Sequence, residues 1–234
     1  MLEFVPLPEH GRRYSVASRV RLSDVTPQGL LRLDGVARTL QDAATDDWSD
    51  CGIVTEHVWV ARRTLFRRVG DYWPRYEDDM VATTWCSGTG AAWAERRTNV
   101  EVNGALVFEG ASLWVPIDHK GFPQRIPAQF HEIFGEAMGG RTVSGRVASS
   151  TPPADATLSP YVVRYADLDI NGHVNNAAVW QAFAHVIAVP TSYAEVVHRG
   201  PVEIDHEVTL ASSGLEAWLL VDGDVRVSAR FEVL

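Results

Sequence analysis

Cysteine and long apolar runs are both scarce in this 234-residue chain. Its two cysteines, Cys51 and Cys86, are too few for a disulfide-stapled scaffold or a four-thiolate metal site. No apolar run reaches the roughly 20 residues that a membrane-spanning helix needs. The segment 1–16 also lacks the apolar core of a signal peptide. We therefore expect a soluble, cytoplasmic protein without a membrane span.

Positive charge is scarce as well. The formal net charge is −9, and Lys120 is the only lysine. Such a balance argues against a broad nucleic-acid surface. Arginines nevertheless cluster at 62–63, 67–68 and 96–97. These clusters predict either a solvated strand face or a local basic patch for an acidic partner.

Two segments of the chain follow one plan. The sequence VRLSD at 20–24 returns as VRYAD at 163–167, so the offset is 163 − 20 = 143. The same offset aligns Gly29 with Gly172. In each copy a strand leads through a short loop into a helix. An internal repeat of this kind predicts two structural units with the same architecture.

The helix of each copy is predicted from apolar periodicity. In the first copy, apolar residues recur at steps of three or four from Leu30 to Trp48, and Gly52 can end the helix. In the second copy a similar pattern covers 179–187 until Pro190 stops it. We expect one long helix in each copy.

Strand-like segments follow each helix, with Asn103-Gly104 and Asp222-Gly223 as hairpin turns. The segments are 57–68, 78–87, 92–102 and 105–117 in the first copy, and 196–204, 206–212, 215–221 and 224–233 in the second. The pattern predicts an α+β fold with two antiparallel sheets, each wrapped on a long helix. Pairing the sheets edge to edge would cover an exposed edge.

The repeats define the domain organisation. We expect an N-terminal repeat at 1–136 and a C-terminal repeat at 158–234. Residues 137–157 are rich in Gly, Ser and Pro and show no periodicity, which predicts a linker.

The densest polar cluster, DLDINGHVNN at 167–176, lies in the loop before the second helix. Capping and turn formation explain one or two of its side chains. They do not explain a carboxylate, a carboxamide and an imidazole at alternating positions. The residues concerned are Asp169, Asn171 and His173 in the second copy, and at the repeat offset Thr26, Gln28 and Leu30 in the first. The first copy thus keeps the backbone plan, and the second adds a candidate site.

The segment VVRYADLDINGHVNNAAVW at 162–180 resembles the signature of hot-dog thioesterases, and the whole chain is similar to the acyl-acyl-carrier-protein (acyl-ACP) thioesterases. The resemblance includes WVARR at 59–63 and SLWV at 112–115. It implies a tandem hot-dog fold with an acyl-binding, non-catalytic first repeat and a catalytic second repeat. It also implies hydrolysis of fatty acyl thioesters in fatty acid biosynthesis, with acyl carrier protein as the partner that carries the substrate on its phosphopantetheine arm.

The same resemblance carries over site residues. It implies that Asp169, Asn171 and His173 are catalytic, and it adds Glu207 in VEIDHEV. The next position is often cysteine in the family, but here it is Val208, so a cysteine nucleophile is excluded at this position. No cofactor or metal is expected, because the nearby imidazoles lack a convincing ligand spacing. Those imidazoles belong to His173, His185, His198 and His206.

The sequence leaves two mechanisms open. Asp169 can attack the thioester carbonyl directly, or it can activate water as a general base. Backbone N–H groups of the helix that is expected near Val174 would polarise the carbonyl oxygen. The tryptophans of the first copy are either the lining of an acyl slot or ordinary core. They include Trp48, Trp59, Trp85 and Trp93.

Three alternatives stay open at this point. The carrier can be CoA instead of ACP, since both present a phosphopantetheine arm. A hot-dog hydratase is a second reading, although such enzymes often have Asp-x-Asn-Pro-x-His, and this chain has no proline there. A non-catalytic acyl-binding protein is the third. The sequence also leaves the oligomeric state open, and a homodimer is one of the alternatives.

Overall fold

The computed structural model describes residues 3–184, 186–187 and 189–233. Within them, strands and helices follow the order of the two copies. The strands are β1 (Tyr14–Arg19), β2 (Val58–Arg68), β3 (Asp79–Thr89), β4 (Ala94–Val102), β5 (Ala105–Ile117), β6 (Thr157–Tyr161), β7 (Tyr193–His198), β8 (Val208–Ser213), β9 (Glu216–Val221) and β10 (Asp224–Glu232). The helices are α1 (Leu33–Asp50), α2 (Ala128–Met138) and α3 (Val179–Phe183).

All ten strands belong to one antiparallel sheet with the order β1-β3-β4-β5-β2-β7-β10-β9-β8-β6. Its first five strands come from the first copy and its last five from the second. The copies meet where β2 pairs with β7, from Arg63 opposite Val197 to Arg67 opposite Tyr193. Phe66 faces Ala194 at this seam. The α+β fold with edge-to-edge pairing of two antiparallel units is therefore confirmed.

Helix α1 buries one apolar stripe against the first half of the sheet. Leu33, Val36 and Leu40 on this stripe are each 2% exposed or less. The helix approaches the sheet closely at Gly110 on β5, where an added Cβ would lie 2.6 Å from a Leu40 side-chain carbon. Apolar residues at helical spacing thus form the expected core helix, and burial of this stripe supplies much of its stability.

The helix of the second copy, α3, differs from the expectation of a long helix, because it has only five residues. The reason lies in the repeat offset. Matching bridges join Leu30 to Arg75 in the first copy and His173 to Glu203 in the second. The offset is 173 − 30 = 143 before the helix but 203 − 75 = 128 after it. The second copy is therefore shorter by the difference, fifteen positions, and β7 begins where a longer helix would continue.

Helix α2 was not expected from the sequence. Its residues Phe130, Phe134 and Met138 pack with Cys86 and Ala94 of the sheet. The expected linker at 137–157 overlaps its last two residues, so the first copy continues slightly further than the composition indicated.

Beyond α2, the connection between the copies is fixed to the sheet. Arg96 reaches Asp47 of α1, whereas its β4 neighbour Glu95 points to the other face and accepts a hydrogen bond from Arg141 at 2.7 Å. The connection therefore crosses the face opposite α1.

Two indole N–H groups hold this connection further along. Trp93 donates to the Val143 carbonyl at 2.9 Å, and Trp218 donates to the Ser150 hydroxyl at 3.0 Å. No helix among the described residues has both the length and the apolar character to cross a membrane.

Candidate active site

The polar loop of the second copy folds around Asp169. The Asp169 N–H donates to the His173 carbonyl at 2.8 Å, and the Gly172 N–H donates to the Asp169 carbonyl at 3.0 Å. Gly172 has φ 76°, where glycine has no steric cost. Carboxylate Oδ1 of Asp169 accepts the N–H groups of Asn171 at 2.8 Å and, more weakly, His173 at 3.4 Å. Oδ2 accepts no hydrogen bond from the described residues, so it is available for chemistry.

The first copy builds the same loop with a hydroxyl. The Thr26 N–H donates to the Leu30 carbonyl at 2.8 Å, and the Gly29 N–H donates to the Thr26 carbonyl at 2.8 Å. Thr26 Oγ1 accepts the N–H groups of Gln28 at 3.2 Å and Leu30 at 3.3 Å. A single side-chain oxygen therefore suffices to support this loop.

His173 has a carboxylate neighbour that the sequence did not single out as catalytic. Its Nε2 lies 3.7 Å from Oε1 of Glu203, and the two residues form an antiparallel bridge. The Glu203 N–H donates to Nδ1 of His206 at 3.0 Å. At the offset of 128, Glu203 corresponds to Arg75. If the position at which the second copy is shortened had been known, the sequence would have placed Glu203 opposite His173, as Arg75 lies opposite Leu30.

Glu207 lies apart from these groups. It is exposed and directly precedes β8. It makes no hydrogen bond or ion pair with the described residues, and it is not among the residues that line the cavity beside Asp169. A catalytic role for Glu207 stays a prediction.

Three of the four expected site residues line a cavity of about 640 Å³ at the seam between the copies. The second copy contributes the polar loop and the segment after β7, while the first contributes one end of β2 and of β5. The lining includes Asp169, Asn171, His173, Asn176, His198, Gly200, Pro201, Val202, Trp59, Val60, Ala61, Arg62, Val115 and Ile117. The candidate site is therefore shared between the copies.

A second cavity, of about 340 Å³, adjoins the first, and Trp59 and Asn171 line both. Its other walls come from the C-terminal half of α1, from β4 and β5, and from α2. They include Ala44, Trp48, Ala94, Trp114 and Phe130. Of the four tryptophans considered from the sequence, only Trp48 and Trp59 line it. Trp93 instead binds the connection between the copies, and Trp85 is 1% exposed in the core.

His198 is the buried imidazole of the site. Burial lowers its pKa to about 4, and the positive charge of Arg62 adds to the effect. The ring is therefore neutral near pH 7. Its Nε2 has no hydrogen-bond partner among the described residues.

Near Val174 the expected helix N-terminus is present only as one helical turn, in which the Asn175 carbonyl accepts the Val179 N–H at 3.0 Å. Helix α3 starts at Val179, and three backbone N–H groups before it are already bonded. Val174 donates to Val202, Asn175 to Asp167, and Ala177 to the Asn175 side chain, each at 2.8 Å. The Asn176 carboxamide also lines this cavity and can donate to a carbonyl oxygen there.

The three arginine clusters do not form one basic patch beside the site. Arg96 and Arg97 are 7% and 1% exposed and pair with Asp47 and Glu95. The remaining pairs are Arg63 with Glu95, Arg67 with Glu109, and Arg68 with Asp71. Of the six, only Arg62 lines the cavity beside Asp169. Of the two expectations for these clusters, a solvated strand face or a local basic patch beside the site, the patch is limited to Arg62, because most of the other arginines meet carboxylates.

No group of three or more His, Cys, Asp or Glu side chains with the geometry of a metal site occurs within the described residues. His185, which was considered for such a role, lies outside them.

Family models and relatives match almost the whole chain. Residues 11–134 match the model of the acyl-ACP thioesterase N-terminal domain, and residues 150–214 match that of the C-terminal domain. An uncharacterized protein of Mycobacterium tuberculosis (strain CDC 1551 / Oshkosh) is 24% identical over 239 residues, covering 97% of this chain and 95% of that protein.

Two solved structures share the fold over nearly their full lengths. The 12:0-ACP thioesterase from Umbellularia californica has a TM-score of 0.79 at 20% identity, covering 95% of this chain and 97% of its own. An acyl-ACP thioesterase from Bacteroides thetaiotaomicron VPI-5482 has a TM-score of 0.76 at 16% identity, covering 94% and 97%. At these identities the likeness concerns the fold. The two domain models together span most of the sequence, and the chain belongs to the acyl-ACP thioesterase family of thioester hydrolases.

Proposed function

We propose that this protein hydrolyses fatty acyl thioesters carried on acyl carrier protein, releasing free fatty acid in fatty acid biosynthesis in the cytoplasm. One observation carries the assignment of the site. Both copies have the same loop backbone, but only the second has Asp169, Asn171 and His173, and these three line a cavity that adjoins an apolar one.

The two cavities suit the two parts of the substrate. The apolar cavity between α1, α2 and the sheet takes the acyl chain, since its walls are mainly aromatic and aliphatic. Asn171 and Trp59 lie where the cavities adjoin, so the thioester sits beside them. In this assignment the first repeat binds the chain and the second supplies the chemistry.

The reaction at the thioester follows from the free oxygen of Asp169. In the general-base route, Oδ2 takes a proton from water while the water oxygen attacks the carbonyl carbon. The C–S bond then breaks, and the departing thiolate takes up a proton. The Asn171 and Asn176 carboxamides can donate hydrogen bonds to the developing oxyanion. His173, beside Glu203, orients the water or returns the proton.

The nucleophilic route differs in its intermediate. Oδ2 of Asp169 bonds to the carbonyl carbon, the thiolate leaves, and water hydrolyses the resulting acyl–aspartyl anhydride. In a single turnover in ¹⁸O-labelled water, label in the Asp169 carboxylate supports an anhydride that water attacks at the aspartyl carbon. Label only in the fatty acid is expected both from the general-base route and from an anhydride attacked at its acyl carbon, and formation of an Asp169 hydroxamate in the presence of hydroxylamine would identify the anhydride.

The assay that tests the function measures thiol and fatty acid release from acyl-ACPs and acyl-CoAs of several chain lengths. We expect both products in equal amounts and a higher kcat/KM on acyl-ACP. A higher kcat/KM on acyl-CoA would make CoA the carrier. Hydration of an enoyl thioester without thiol release would identify a hydratase, and binding without turnover would identify an acyl-binding protein. Sedimentation equilibrium decides between monomer and homodimer.

A further inference from the structure

Three arginines converge on one end of the seam. In sheet order, β2, β7 and β10 are neighbours, and each carries one of them at this end. Arg62 lies at an irregularity of β2 between Ala61 and Arg63, and Arg226 at one of β10 between Val225 and Val227. Arg199 directly follows β7. Bulges re-aim side chains and are frequent beside active sites.

Contacts place the Arg226 side chain and the Arg199 backbone beside Arg62 at one rim of the active-site cavity. Arg62 and Gly200 both line this cavity. A Cβ on Gly200 would lie 3.0 Å from a guanidinium nitrogen of Arg226, so that side chain covers Gly200. The Arg226 carbonyl accepts the Arg199 N–H at 2.8 Å. The Arg199 carbonyl in turn lies 3.5 Å from a guanidinium nitrogen of Arg62.

None of these three arginines has a carboxylate partner among the described residues, and Nε of Arg226 is buried without any hydrogen-bond partner. Another arginine of the same strand, β10, does have a carboxylate partner. Arg230, four residues after Arg226 on β10, pairs with Glu195 at 3.0 Å. Guanidinium groups at one rim repel one another unless an anion joins them. In a protein of net charge −9 such a local cluster is best explained by an anionic ligand.

We propose that Arg62, Arg199 and Arg226 bind the phosphate of the substrate's phosphopantetheine arm. This inference rests on the proposed function, since that arm is what an acyl thioester carrier presents. Guanidinium groups match phosphate oxygens in a bidentate, charge-assisted geometry. The phosphate lies at the end of the arm away from the thioester, and the lining of the acyl slot includes none of the three arginines.

The test compares substrates that differ by one group. Acyl-pantetheine lacks the phosphate, acyl-4′-phosphopantetheine has it, and acyl-ACP has both the phosphate and the protein. For Arg199→Gln and Arg226→Gln, we expect the ratio of kcat/KM on acyl-phosphopantetheine to that on acyl-pantetheine to fall about tenfold or more, mainly through KM. Arg226→Lys should recover part of the loss. Arg230→Gln removes a charge of the same sign and should leave the ratio unchanged.

Three other outcomes would contradict the phosphate subsite or the proposed function. An unchanged ratio in both variants, with the wild type active on all three substrates, overturns the phosphate subsite and leaves the proposed function intact. A loss confined to acyl-ACP assigns the arginines to the carrier's surface and also overturns the phosphate assignment. A wild type that is inactive on all three substrates overturns the proposed function itself. Thermal melts of each variant identify losses that come from unfolding.

Discussion

The two loops at 24–31 and 167–174 have one backbone and two chemistries. In the first, the Thr26 hydroxyl supports the turn, and in the second, Oδ1 of Asp169 does so at the same position. A carboxylate has a second oxygen, which is left over once the turn is satisfied. The comparison teaches that support of the turn and the catalytic role that we propose for Asp169 fall to different oxygens of one side chain.

The largest expected effect is a difference in kcat between variants of Asp169 and of its first-copy counterpart, Thr26. Asp169→Asn keeps an amide oxygen that can accept the N–H groups of Asn171 and His173, so the loop should fold. Loss of an essential base or nucleophile should lower kcat roughly a hundredfold or more. Thr26→Ala should leave kcat within severalfold and lower Tm instead, because a loop hydrogen-bond acceptor is gone. Steady-state kinetics and thermal melts on both variants check the pair. Near-normal turnover by folded Asp169→Asn would remove Asp169 from the mechanism.

A smaller effect should distinguish Glu203, which lies beside His173, from Glu207, which does not line the cavity. We expect His173→Ala and Glu203→Gln to lower kcat about tenfold or more, since Glu203 lies beside His173 in the structure. Glu207→Gln is the matched change in an exposed residue with no described partner. A loss from Glu207→Gln larger than that from Glu203→Gln would support the family-based prediction for Glu207 against the geometry.

Chain-length preference should respond to the apolar cavity of the first copy. Ala44→Leu adds side-chain volume to its wall and should shift the best substrate to a shorter acyl chain. Excluding about two methylene groups corresponds to roughly tenfold in kcat/KM between long and short substrates. Ala43→Leu on the same helix is the control, because Ala43 does not line this cavity. Equal shifts in both variants would show that this cavity does not determine the preferred acyl chain length.

The pH dependence of stability should belong to the second copy, where His198 is buried. Its pKa is about 4 in the folded protein against an ordinary value of 6.5. Between these values the unfolded chain binds a proton that the folded protein does not, so the free energy of unfolding falls as pH falls. His198→Gln should reduce the loss between pH 7 and 4.5 by about 2–3 kcal/mol. Urea melts at both pH values, with the exposed His119→Gln as the control, measure the difference. An equal loss in the wild type and His198→Gln would contradict the assignment.

Much of the fold could be predicted from local pattern. The first helix and the strands that follow it were predicted because each buries a periodic apolar face, and the edge pairing followed from the need to cover two open edges. The short helix α3 could not be predicted from its own residues. Val179 and Phe183 have helical spacing, but the space available was set by the shortening of the second copy, which the pairings of His173 with Glu203 and of Phe66 with Ala194 reveal.

The site divides in the same way. That Asp169, Asn171 and His173 lie together at the cavity could be predicted, because they belong to one loop and have no counterparts in the loop of the first copy. Glu203 and His198 could not, since strand pairing and burial bring them to the site from other segments. The arginine clusters misled for a related reason. Arg62, at an irregularity of β2, lines the cavity, whereas its sequence neighbour Arg63 pairs with Glu95.

The pairing of Phe66 with Ala194 has an evolutionary consequence. At the offset of 128 these two positions correspond, so they lie on the pseudo-twofold axis that relates the copies. In a symmetric dimer of separate chains, the residue on such an axis must face itself, and every mutation there occurs twice. A fused chain is free of that restriction. It can place a large ring, Phe66, opposite the methyl group of Ala194. The Phe66 ring packs on Trp73, Phe108 and Trp180. A homodimer cannot encode two different residues at its axis.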